Sequence, residues 1–82
     1  MQSARVSRRL HSSRYTKLRA ALIRARLDAG LTQVVLADRL QRPQSFVSKF
    51  ETGERHLDVL EFVELCEAIG IDPRKVIGHA AG

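Results

Sequence analysis

The chain has 82 residues, 44% of them apolar and 28% charged, with a formal net charge of +5 and a sequence pI near 10.4. That length holds one domain with the modest core of a short helical bundle and leaves little room for a second. No apolar run approaches the roughly 18 residues a membrane span needs, and the first residues lack the apolar stretch of a secretory signal, so the expected location is the cytoplasm.

Excess positive charge of this size attracts a polyanion, whether a phosphate backbone or an anionic lipid surface. Its distribution is uneven. Eight of the fourteen basic residues (Arg5, Arg8, Arg9, Arg14, Lys17, Arg19, Arg24 and Arg26) precede the first acid, Asp28, whereas residues 58–72 carry five of the nine acids and no base. A molecule with one positive and one negative end would be oriented on a duplex. A membrane-surface role for the basic N-terminal segment is disfavoured, because that segment lacks the Trp, Phe and Leu face that anchors such helices.

In chain order, residues 1–14 read as a flexible basic arm with almost nothing to bury, residues 15–78 as the folded domain, and residues 79–82 as a short C-terminal tail. Leu18, Leu22, Ala25 and Ala29 recur at helical spacing and Gly30 supplies a stop, which predicts a first helix. Thr32 has the hydroxyl of an N-cap, and a second helix of about eight residues follows over residues 33–40, with Val35, Leu36 and Leu40 inward and Asp38 and Arg39 outward. Gln41 and Arg42 form a turn, Pro43 is suited to the first turn of a third helix, Val47 and Phe50 face inward, and Gly53 ends it. Asp58 with Glu61 forms a capping-box pair that opens a fourth helix with Val59, Phe62, Leu65, Cys66 and Ile69 as its buried stripe and Gly70 as its stop. Asp72 and Pro73 then start a short fifth helix over residues 74–77. No segment reads as a strand, so the fold class is all-α, a compact five-helix globule.

Cys66 is the only cysteine, cannot form an intramolecular disulfide, and sits among apolar residues, as a packing thiol in a reducing compartment does. His11, His56, His79 and Cys66 lie far apart without metal-ligand spacing, and no nucleophile, base and orienting group cluster. The expectation is a protein that is not an enzyme and needs neither cofactor nor metal.

Two short helices joined by a tight turn let one cross the DNA backbone while the next lies in the major groove. The run Gly30, Leu31, Thr32, Gln33, then Leu36 and Ala37, then residues 44–53 with Phe50, Glu51 and Gly53 at their end, resembles the Cro and phage-repressor helix-turn-helix family, also called the XRE family, over residues 18–77. Two positions depart from that pattern: Gln41 stands where a turn glycine is usual, and Pro43 where Ser or Thr commonly caps the recognition helix. The resemblance implies a lambda-repressor-like domain that binds double-stranded DNA as a transcriptional regulator, by default a repressor, acting as a homodimer on a two-fold-symmetric operator. It places Gln44, Ser45, Ser48 and Lys49 on the base-reading face, where Gln pairs with adenine and Lys with guanine. Without the motif the same residues would read as a solvated helix face. Phe46 faces outward on this register, with contact to a thymine methyl or partner and burial in the local core both open. Phosphate contacts fall to Thr32, Gln33, Arg42, Thr52, Gly53 and Arg55, with Gln33 also bracing Gln44. A structural ion pair between Arg26 and Glu51 links the first helix to the end of the third. His56 reads either as an ordinary surface histidine or, when protonated, as a further contact to the same phosphates.

A dimer interface is expected at Ile71, Val76 and Ile77, and the arm either adds phosphate or minor-groove contacts or serves as a solubilising tail. The rival reading is an adaptor or antitoxin whose main role is to bind a protein partner, such as a toxin or anti-repressor.

Overall fold

A computed structural model describes residues 13–81, which form five helices and no strand among the described residues: α1 (Ser13–Asp28), α2 (Gln33–Leu40), α3 (Gln44–Thr52), α4 (Val59–Ile69) and α5 (Pro73–Ala81). Arg5, Arg8, Arg9 and His11 lie outside the described residues. Ser13 and Arg14, assigned to the arm from sequence, belong to the first turn of α1.

Local chemistry sets the boundaries. The Thr32 hydroxyl accepts the Val35 amide at 3.1 Å, and Asp58 and Glu61 form the reciprocal capping box at the start of α4. Both caps satisfy amides that the first turn of a helix leaves without partners. Gly53 (φ +87°) and Gly70 (φ +92°) close α3 and α4 in the left-handed conformation. Gln41 does the same for α2 at φ 56°, although it carries a Cβ, and its strain is offset by amide bonds from Gln41 to Asp38 O and from Arg42 to Ala37 O, each 3.0 Å.

The core gathers one face of every helix: Leu22 from α1, Leu36 and Ala37 from α2, Phe46, Val47 and Phe50 from α3, Phe62, Leu65, Cys66 and Ile69 from α4, and Val76 from α5. Complete burial of a side chain such as Phe50 or Leu65 contributes about 1.5–3 kcal/mol. α1 packs most extensively against α5, and α2 against α3.

Several residues lie elsewhere than their sequence pattern suggests. Val59 is 81% exposed and Val35 44%; packing of α2 and α4 against the rest of the core buries Leu36 and Phe62, as expected, and leaves these two valines outside. Ala29 is exposed beyond the end of α1. Val76, expected at a dimer interface, is a core residue at 5% exposure, because α5 lies along α1; Ile71 is half-buried against the same core and Ile77 remains exposed. α5 also runs past Gly78 and His79 to Ala81, so the expected tail is helical up to that residue. No helix among the described residues is long and apolar enough to cross a membrane.

Candidate nucleic-acid interface

Gln41, Arg42 and Pro43 connect α2 to α3, and this short turn fixes the two helices against each other. Pro43 stands at the N-cap of α3 in an extended conformation (φ −62°, ψ 151°) with no side-chain cap bond, so it precedes the helix rather than opening its first turn. With Phe46, Val47 and Phe50 directed into the core, Gln44, Ser45 and Lys49 form the exposed face of α3, and Ser48 is half-buried beside them.

Behind that face runs a chain of polar contacts. Arg26 Nε donates to Glu51 Oε2 at 2.7 Å and Nη2 to Oε1 at 3.0 Å, while Nη1 donates to the Leu31 carbonyl at 2.8 Å. Both side chains are about nine-tenths buried, at 10% and 9% exposure. Bidentate Arg–carboxylate geometry with the remaining donor satisfied is what makes a buried pair tolerable. Gln33 Nε2 donates to Glu51 Oε1 at 2.8 Å, and Gln44 Nε2 donates to Gln33 Oε1 at 3.4 Å. The orientation of Gln44, at the front of the recognition helix, is therefore connected through Gln33 to an ion pair that ties α1 to α3.

The loop after α3 wraps tightly around the end of the helix. The Gly53 amide bonds to Phe50 O at 3.1 Å, and the amides of Glu54 and Arg55 both reach Lys49 O, at 2.9 and 3.2 Å. The Thr52 hydroxyl lies 3.2 Å from Lys49 O and 3.0 Å from the Glu54 carboxylate. Gly53 seats on the Arg19 guanidinium; a Cβ there would come within 3.2 Å of Arg19 Nη1. Tyr15 steadies the far side of the loop, its hydroxyl oxygen accepting the Leu57 amide at 3.2 Å and its ring meeting His56 edge-on with centroids 4.5 Å apart.

Two residues assigned to phosphate contact are found in a cluster that sequence reasoning missed. Arg55 forms two hydrogen bonds to Glu61, at 2.9 and 2.8 Å, and a third to the His56 carbonyl at 2.7 Å. Arg42 Nη1 lies 3.4 Å from the same carboxylate. Each guanidinium carbon stands 4.6 Å from the centre of the Phe46 ring. Phe46 is buried at 8% exposure, so of its two readings the core one is correct, with the ring serving as a cation–π platform. The Glu61 carboxyl is held down to about 2, chiefly by the Arg55 hydrogen bonds, then by the Asp58 amide and the charges of Arg55 and Arg42. Glu61 was legible as a helix cap; its second role depends on residues brought in from two other segments.

Among the described residues no group of His, Cys, Asp or Glu is placed to hold a metal ion. Cys66 is fully buried, and burial pushes its thiol up to about 11.

Residues 17–76 match a family described as a helix-turn-helix domain. The chain is similar in structure to an XRE-family like protein from Pseudomonas syringae pv. tomato str. DC3000, with 47% identity over 93% of each chain and a TM-score of 0.83. It is also similar to the clp gene regulator ClgR from C. glutamicum, with 28% identity over 87% of this chain and 92% of that one and a TM-score of 0.76. No curated protein matches it. The matched family covers well over half of the chain and the fold agrees with both structures; the chain belongs to the XRE-type helix-turn-helix family of DNA-binding transcriptional regulators.

Proposed function

We propose that the protein binds double-stranded DNA sequence-specifically, as a homodimer on a two-fold-symmetric operator, and represses transcription by occupying the promoter. The observation that carries this reading is the outer face of α3, where Gln44, Ser45 and Lys49 are exposed while the opposite face is locked into the core. Gln44 and Lys49 suit adenine and guanine edges in the major groove, and Ser45 and Ser48 supply adaptable donors and acceptors. Thr32 and Gln33 lie at the positive end of α2, which favours a phosphate, Arg42 lies in the turn before the recognition helix, and Thr52 is the last residue of that helix.

One such helix reads only a few base pairs, so useful affinity requires two copies on half-sites about 34 Å apart. Ile77, 47% exposed on α5, supplies outward apolar surface for the contact between copies. Paired binding predicts that a duplex with two inverted half-sites retains the protein far better than a single half-site, and that inserting about half a turn of DNA between the halves abolishes the gain. Equal affinity for one and two half-sites would contradict the dimer.

A further inference from the structure

Arg42 from the turn before α3, Phe46 from its first turn, Arg55 from the loop after it and Glu61 from the first turn of α4 meet at one point. The Glu61 carboxylate is fully engaged: Oε1 accepts Arg55 Nη1 at 2.9 Å and the Asp58 amide at 3.0 Å, and Oε2 accepts Arg55 Nη2 at 2.8 Å. Arg55, with a further bond to the His56 carbonyl, is a strut that holds the loop to α4. Arg42 is held more lightly, by one 3.4 Å approach and by the Phe46 ring, and its side chain is 39% exposed. It therefore presents free donors beside the front end of the recognition helix.

We propose that Phe46 and Glu61 are positioning residues of the DNA interface, holding Arg42 pre-oriented as a ligand for a backbone phosphate and fixing the following loop through Arg55. The inference rests on the DNA-binding reading above. An arginine that is already stacked and oriented loses less rotamer freedom when it grips a phosphate. The cluster also makes a prediction opposite in sign to simple electrostatics. Two guanidiniums and one carboxylate sum to a single positive charge, so neutralising Glu61 adds attraction for any DNA while releasing the arginines from their fixed places.

The test uses the full chain and three variants, Glu61→Gln, Arg42→Met and the double variant, titrated over a salt series against the duplex that the wild type selects from a random pool and against a random duplex, with thermal melts alongside. Glu61→Gln is expected to lose about tenfold on the selected duplex and nothing on the random one. Arg42→Met is expected to lose a similar factor and to lower the slope of log affinity against log salt by about 1. The double variant should fall short of the product of the two losses, because Glu61 acts through Arg42. Unchanged or tighter binding of the selected duplex by Glu61→Gln, or an unchanged salt slope in Arg42→Met, would overturn the proposal. Arg42 lies at the exposed edge, so an unchanged salt slope in Arg42→Met overturns the proposal even where Glu61→Gln lowers the melting temperature. A wild type that selects no duplex would remove the DNA-reading function itself and this inference with it, an outcome visible before any variant is compared.

Discussion

Replacing Arg26 with Met leaves the Glu51 carboxylate buried at 9% exposure with only the Gln33 amide to face it, and strips the Leu31 carbonyl of its donor. Breaking one side of a buried pair costs roughly 3–5 kcal/mol, against a total stability of about 4–12 kcal/mol for a domain of this length. At about 4–8 °C per kcal/mol, the melting temperature should fall by at least ~12 °C. Glu51→Leu should be comparable, since it strands the guanidinium instead. Replacing both removes the two charges together and leaves the buried Leu31 carbonyl without its donor, at about 1–3 kcal/mol, while the half-buried Gln33 amide can turn to water. The double variant should therefore be no less stable than either single one, with a coupling energy of about 2 kcal/mol or more. Urea denaturation of the four proteins measures this cycle directly. Single losses below about 1 kcal/mol, or a double variant that simply adds the two, would refute the claim that this pair holds α1 to α3.

Gln44→Ala should cost about 1–3 kcal/mol on the selected operator and relax preference at the base it reads, seen by titrating operators substituted one base pair at a time; a uniform loss across all of them would assign Gln44 to the backbone instead. Glu61 has its folded carboxyl near 2, below the ordinary 4.5, so its contribution to stability is complete above about pH 4.5 and is lost as the pH falls toward 2. The stability gap between wild type and Glu61→Gln should accordingly narrow in acid, measured by denaturation from neutral pH downward, and a constant gap would contradict the ion cluster. Cys66, fully buried with its thiol raised to about 11, should resist alkylation at pH 8 in the native protein and react at once in denaturant; rapid native labelling would mean that the core opens around α4.

What could be read from the sequence was what is decided within a few residues. The Thr32 cap, the Asp58 and Glu61 box, the glycine stops and the left-handed Gln41 each depend on neighbours one to five positions away. Rotation of the short helices was less legible: over eight residues of α2, Val35 and Leu36 are equally apolar, and only packing against α3 and α4 decides which turns inward. The fifth helix was expected only over residues 74–77, but α5 runs from Pro73 to Ala81, packed against α1. The buried Arg26 and Glu51 pair joins positions 25 residues apart and was expected only through resemblance to the family. The cluster around Phe46 was not legible at all, since Arg55 is a surface cation by composition and becomes a strut only when α4 brings Glu61 beneath it.

The most direct test of sequence-specific DNA binding is selection of the wild-type protein against a random duplex pool over a salt series, sequencing what is retained. Sequence-specific binding by a dimer predicts an enriched, two-fold-symmetric site whose affinity falls steeply with salt. Salt-dependent retention with no enriched sequence would contradict it, leaving a basic surface that holds DNA without reading it.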